Sequence, residues 1–150
     1  LYFRNDSEQL RPLYGNARFS ASELQELIRQ LDDGSDTFRM TGGVHSAALA
    51  DNERILIKYE DIGRHNALDR VLGHTIINGI ATEDKAVLLS GRISSEMLIK
   101  AARIGTPVIV SRSAPTGLAI DLAEELNITT VGFVRGNSMN VYSHPERIVR

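Results

Sequence analysis

Residues 86–117 read AVLLSGRISSEMLIKAARIGTPVIVSRSAPTG, and the alternation inside this stretch sets the fold class. AVLLS is a short apolar run, SSEMLIKAARIG carries apolar residues at helical spacing, and PVIVS is a second apolar run. Short apolar runs with little alternation are strands buried on both faces, as parallel strands covered by helices are. The pattern continues through a helix around PTGLAIDLAEELN to a strand at TTVGFV. Strand, helix, strand, helix, strand predicts a parallel sheet built from right-handed crossover units.

Working outward, VHSAALA and ERILIKYE flank Asp51-Asn52 and predict a β-hairpin ahead of those units. Further upstream, Ser20 and Glu23 stand at capping-box spacing before the apolar stripe Leu24, Leu27, Ile28 and Leu31, with Gly34 as a stop. That is an amphipathic helix. Another helix follows EDIGRHN, with Leu68, Val71, Leu72, Thr75 and Ile76 as its stripe, Asn66 as its N-cap and Gly79 near its end. MNVYS predicts a short edge strand and HPERI a terminal turn. Residues 1–19 hold Pro12 and Gly15, show no clean period and read as a loose lead-in; residues 20–150 read as a single α/β domain. The expected fold is a three-layer α/β/α sandwich with a mixed sheet, the hairpin first and parallel βα units after it. The start at Leu1-Tyr2-Phe3-Arg4, without a methionine, reads as a fragment or as tag-derived.

Bulk properties narrow the function. A chain of 150 residues buries about 70% of the surface its unfolded form exposes, enough for a substantial core. The net charge of −2 and the aromatic fraction of 5% argue against a general polyanion surface or a base-stacking platform, so nucleic acid is not an expected partner. No apolar run approaches the roughly 18 residues of a membrane span and no signal peptide opens the chain, so a cytoplasmic location without a membrane partner is expected. There is no cysteine, which removes disulfides, thiolate metal sites and thiol nucleophiles from these residues. The basic residues are lopsided, fourteen Arg against three Lys. Arginine suits planar, bidentate recognition of phosphate or carboxylate, so their positions matter more than their sum.

Those positions form an echo. Each of four consecutive strands is followed by a polar turn that holds an arginine: EDIGRHN, SGRISSE, SRSAPT and RGNS. In an open parallel sheet such turns lie at the carboxyl edge, where ligands of α/β proteins bind. Arg64, Arg92, Arg112 and Arg135 would then share one rim. Ser90, Gly91, Ser94 and Ser95 open one helix and Ser111, Ser113 and Thr116 the next; helix N-termini carry free amides and partial positive charge. A diphosphate or nucleotide is the guest this chemistry suggests. The plainer alternative is that each serine is a helix cap and each arginine a solvated loop residue. Thr41-Gly42-Gly43-Val44-His45 reads equally as a ligand loop or as a tight turn into a strand. His45, His65, His74 and His144 lack the close spacing of metal ligands, and no metal is expected. Glu60 and Asp61 are adjacent on a strand and point to opposite faces, which weakens them as an acid/base pair. No P-loop, dinucleotide fingerprint or nucleophile elbow is present.

The segments TGGVHSAAL (41–49), EDIGRHNALDRVLG (60–73), SGRISSEM (90–97), KAARIGTPVIVSRSAPTGLA (100–119) and GFVRGNSMNVYSHPERI (132–148) together resemble the formate dehydrogenase accessory protein family. The resemblance implies a cytidine deaminase-like fold, a tendency to dimerise, and a sulfur carrier. Such a carrier takes persulfide sulfur from a cysteine desulfurase and passes it to the molybdenum or tungsten bis-molybdopterin guanine dinucleotide cofactor of formate dehydrogenase. GDP would mimic one arm of that cofactor. The resemblance puts the cofactor contact at Phe133, Val134, Arg135, Gly136, Asn137 and Ser138. To these the rim adds Arg92, Ser94, Arg112, Ser113, Arg64, His65, Gly43 and His45. The family carries its sulfur on a cysteine in a CxxC loop, and this sequence has none, so no catalytic residue is assigned. Two readings compete with the carrier: a cysteine-free cofactor chaperone that transfers no sulfur, and a small-nucleotide hydrolase or deaminase. The last lacks its motifs, since His45 is followed by Ser46 and Ala47 rather than by the zinc-site pattern.

Overall fold

Strand residues in the centre of this protein alternate between two different hydrophobic clusters, and that alternation defines the layers. In the computed structural model, which describes residues 11–33 and 43–149, the strands are β1 (Phe19–Ser20), β2 (His45–Ala50), β3 (Ile55–Asp61), β4 (Ala86–Leu89), β5 (Val108–Ser111), β6 (Thr129–Arg135), β7 (Ser138–Ser143) and β8 (Ile148–Val149). The helices are α1 (Ala21–Asp33), α2 (Arg64–Ile77), α3 (Ser95–Arg103) and α4 (Gly117–Leu126), with a 3-10 turn at Pro145–Arg147. Ala47, Leu49, Val87, Leu89 and Ile109 pack with apolar residues of α2, α3 and α4 on one face. Ala48, Ala50, Ala86, Leu88, Val108 and Val110 pack with Leu24, Leu27, Ile28 and Leu31 of α1 on the other. The expected α/β/α sandwich is what forms, because every central strand has a helix to bury each of its faces against.

The six-stranded sheet runs in the order β3-β2-β4-β5-β6-β7. β2 is antiparallel to both β3 and β4, while β4-β5 and β5-β6 are parallel. Strands β3, β4, β5 and β6 therefore all point the same way, and the amino end of β2 lies at their carboxyl edge. β7 is the antiparallel edge strand expected at MNVYS. The β2-β3 hairpin turns on Asp51, whose carboxylate accepts from the Glu53 and Arg54 amides, both at 2.8 Å. The Glu53 bond is the main reason its pKa lies below the usual carboxylate value.

Some local expectations are corrected. Helix α2 begins at Arg64 with Gly63 as its N-cap and no side-chain cap, so Asn66 is inside the first turn rather than capping it. Ile76 is 67% exposed, because Ala67, Leu68, Val71, Leu72 and Thr75 already complete the buried stripe. The capping-box bond from the Glu23 amide to Ser20 Oγ is present, though long at 3.4 Å. The predicted stop at Gly34 and the turn residues Thr41 and Gly42 lie outside the described residues.

At the amino edge of the sheet the chain is closed by a buried arginine. Arg147 is 2% exposed. Its guanidinium donates to the carbonyls of Leu13, Pro107 and Asn127 and to Thr129 Oγ1, tying the lead-in, the start of β5 and the start of β6 to the terminal turn. Burial pulls its pKa down from the ordinary arginine value, and its Nε has no partner among the described residues. Carbonyl dipoles are what keep this charge tolerable out of water. We expect Arg147→Ala to lower unfolding free energy by about 3 kcal/mol in a urea titration. Arg147→Met, which keeps the volume but leaves the carbonyls unpaired, should lose a similar amount; wild-type stability in the Met variant would show that the guanidinium holds nothing.

Candidate functional site

The carboxyl edge gathers the turns that the sequence singled out, and the backbone joins two of them directly to each other and to strand β6. The turn after β4 and the turn after β5 form a short parallel bridge at Ile93 and Pro115. The Ile93 amide donates to the Ala114 carbonyl at 3.3 Å and the Thr116 amide to the Ile93 carbonyl at 2.9 Å. The Phe133 amide of β6 then donates to the Ser113 carbonyl at 3.1 Å. Serines finish the work: Ser111 Oγ donates to the Gly91 carbonyl and accepts from the Ser113 amide, and Ser90 Oγ accepts from the Ser46 amide. Ser94 and Thr116 are side-chain N-caps of α3 and α4, accepting from Met97 and Ala119. Each of these hydroxyls is engaged by the protein's own backbone.

Gly132 makes the last of these contacts possible. A Cβ at that position would lie 2.9 Å from Pro115 Cδ, 2.9 Å from the Ser113 carbonyl oxygen and 3.0 Å from Tyr142 Cε2. Only glycine lets β6 approach so closely. The next residue, Phe133, has φ 51°, a left-handed backbone rarely adopted by an aromatic residue, and the register with β7 shifts between Gly132 and Arg135. The irregularity turns Arg135 over the Phe133 ring, 5.9 Å from its centroid, and back toward the preceding turn.

Arg135 is held there by one nitrogen. Its Nη1 donates to the Arg112 carbonyl at 2.7 Å and to the Val134 carbonyl at 3.2 Å. Among the described residues its Nε and Nη2 have no partner, so one bidentate edge of the fork remains available. Arg112 pairs with Asp32 of α1 at 2.8 Å. Arg112, Val134, Arg135 and Gly136 line a cavity of about 430 Å³ whose other wall is the polar face of α1, including Gln25, Glu26, Arg29 and Asp32. Glu26 is bonded by Arg29 and Gln30, which hold its carboxyl below the usual range, Arg29 most strongly. Three guanidinium groups against two carboxylates leave the cavity cationic, and Arg135 has no carboxylate partner.

A second cluster occupies the other end of the edge. A Cβ on Gly91 would stand 3.3 Å from His45 Nδ1 and 3.6 Å from Arg64 Cδ, so the start of β2, the first turn of α2 and the turn after β4 meet here. Arg64 and Arg92 are exposed and have no ion pair or hydrogen bond among the described residues. His65 is half-buried; Gly43, Asn137 and Ser138 are exposed. Glu60 accepts from Ser46 Oγ and Asp61 from the Gly63 amide, supporting tasks for both carboxylates. The four arginines thus share an edge but not a pocket. β3 and β6 are four strand spacings apart, roughly 19 Å, too far for their side chains to converge. The histidines do not gather either: His74 meets the Tyr59 hydroxyl at 2.9 Å and His144 lies beside Glu124 and Glu146.

The model of the FdhD/NarQ family matches residues 2–149. The chain belongs to the FdhD/NarQ family. It is 52% identical over 147 residues to the sulfur carrier protein FdhD of Bacillus subtilis (strain 168), a match over 98% of this chain and 56% of that protein. With the sulfur carrier protein FdhD of Listeria monocytogenes serovar 1/2a it shares 51% identity over 148 residues, 98% of this chain and 57% of the relative. The chain therefore spans a little over half the length of these curated relatives. Among solved structures it resembles that of a protein from Desulfotalea psychrophila assigned as a formate dehydrogenase accessory protein, with TM-score 0.88, 38% identity, and coverage of 97% of this chain and 62% of that one. The α/β fold described above is thus an FdhD/NarQ fold.

Five cavity residues, Ser22, Gln25, Glu26, Arg29 and Asp32, escaped the sequence reading. They form the polar stripe of α1, and in sequence a polar stripe that faces a cavity looks the same as one that faces water. The tightness at Gly132 yields a prediction. Gly132→Ala should cost about 1 to 3 kcal/mol of stability and speed hydrogen exchange at the Phe133 amide. A variant of wild-type stability with unchanged Phe133 protection would show that the close approach does not exist.

Proposed function

We propose that this FdhD/NarQ chain is the cofactor-holding part of an accessory sulfur carrier required for formate dehydrogenase activity. In this reading the cargo is the molybdenum or tungsten bis-molybdopterin guanine dinucleotide, and one of its nucleoside diphosphate arms enters the cavity between α1 and the β6 turn. The observation that carries it is Arg135: oriented by two carbonyls through Nη1, with Nε and Nη2 open, in a cavity that is cationic on balance. An arginine fixed before the ligand arrives loses little freedom on binding and offers the parallel N–H pair that a phosphate accepts. The cavity volume of about 430 Å³ suits part of a nucleotide rather than the whole cofactor.

Sulfur itself needs a thiolate, and no persulfide can form on these 150 residues because none is a cysteine. The sulfur, drawn from a cysteine desulfurase, is then borne on a thiol outside this sequence, while the rim holds the cofactor. The names of the relatives support the carrier reading over a chaperone without sulfur transfer. A cytoplasmic location and a homodimer belong to the same proposal; no helix among the described residues is long and apolar enough to cross a membrane.

Titration calorimetry with GDP at low salt tests the cargo assignment. Wild-type protein should bind, and Arg135→Ala should weaken binding by about 1 to 3 kcal/mol, roughly ten- to a hundredfold. No binding by the wild type, or equal binding by the variant, would contradict it.

A further inference from the structure

Asn78-Gly79 is the one Asn-Gly pair in the sequence, and it stands at the end of α2 with both residues exposed. In this dipeptide the side-chain amide is most open to attack by the next backbone nitrogen, because glycine has no Cβ to hinder the approach. Water is the only co-reactant. The Gly79 nitrogen bonds to Asn78 Cγ, and Nδ2 leaves as ammonia with the proton of that nitrogen, closing a succinimide ring. Water then opens the ring at either carbonyl and gives aspartate or isoaspartate.

The helix cap holds each reacting atom away from this path. Asn78 is the C-cap of α2, with φ −96° and ψ 4°. At that ψ the Gly79 nitrogen is turned away from Asn78 Cβ, and the ring cannot close. Gly79 follows at φ 60°. Its amide donates to the Ile76 carbonyl at 3.2 Å and the Ile80 amide donates to the Thr75 carbonyl at 3.1 Å, the paired bonds of a Schellman motif. The carboxamide is tied as well, since Asn78 Nδ2 donates to the His74 carbonyl at 2.9 Å. Ile80 anchors the cap from beyond, packed against the core shared by α2, α3 and α4. Yet the cap is at the surface, and Ile76 and Ile77 beside it are 67% and 84% exposed. Such helix ends open more often than the whole chain unfolds.

We propose that Asn78 is a modification site, deamidated to aspartate and isoaspartate at a rate set by local opening of the α2 cap. The product does not rebuild the cap. A carboxylate has no proton to give the His74 carbonyl, and its charge meets the negative end of the helix dipole. Isoaspartate also lengthens the backbone by a methylene, which moves the Gly79 and Ile80 amides off their carbonyls. The change falls beside Tyr59, Arg70, His74 and Ile77, which with Asn78 line a cavity of about 370 Å³. It loosens the turn from which His74 meets the Tyr59 hydroxyl.

Folded wild type and the same chain unfolded in guanidinium chloride, incubated side by side in mildly alkaline buffer and followed by peptide mass spectrometry, test the proposal. The folded protein should form aspartate and isoaspartate at residue 78 at least fivefold more slowly than the unfolded chain. Ile80→Ala, which removes the anchor of the cap, should speed the folded reaction at least threefold. Arg147→Ala, which weakens the fold without touching the bonds of the cap, should leave it near the wild-type rate. A folded rate within fivefold of the unfolded one overturns the guarding role of the cap. No modified residue 78 in the folded sample after about fifty unfolded half-lives overturns the site. Ile80→Ala without effect, or Arg147→Ala accelerating the reaction as much, overturns local opening as the gate.

Discussion

Backbone hydrogen bonds between turns govern the working edge of this protein. Leu89 accepts from Arg112, Ile93 exchanges bonds with Ala114 and Thr116, and Ser113 accepts from Phe133. Together they zip the turns after β4 and β5 to strand β6 beyond the last parallel pair at Val110 and Val131. Turns at the end of a parallel sheet would otherwise be independent loops, each free to place its arginine differently. Here the position of Arg135 depends on Phe133, which depends on Ser113, which depends on Gly132 leaving room. A ligand would meet an arrangement whose ordering was completed when the chain folded.

The two edges of the sheet use arginine in opposite ways. At the amino edge Arg147 is buried and surrounded by carbonyls, so its charge is consumed in closing the fold. At the carboxyl edge Arg135 uses one nitrogen for its own orientation and keeps the rest of the fork accessible. The residue type is the same; what differs is how many donors the protein itself employs. Counting arginines therefore said little about binding, and counting their unused donors says more.

Much of the fold was legible because burial on two faces leaves a plain trace: AVLL and VIVS have no polar alternation, and α1 and α3 carry clean apolar stripes. The shared edge was legible too, since an arginine after each of four co-directional strands is a topological statement. What could not be read was the width of the sheet between those strands. β2 inserts between β3 and β4, a placement no local pattern reveals, and it helps separate the Arg64 cluster from the Arg112–Arg135 cavity. The N-cap at Gly63 was missed for a local reason: Asn66 has capping chemistry, but Asp61 accepts from the Gly63 amide and the helix begins earlier, at Arg64. Arg147 gave no signal either, because nothing in HPERI distinguishes a buried guanidinium from a solvated one.

The central claim is that one end of a preassembled rim, the cavity between α1 and the β6 turn, receives a nucleoside diphosphate. Backbone amide chemical shifts recorded during a GDP titration of the isotope-labelled protein test it most directly. The account predicts perturbations concentrated at Gln25, Arg112 and Arg135–Ser138, with the amides around Arg147 unmoved. Perturbations centred on His45 and Arg64, or scattered over the surface without focus, would contradict it.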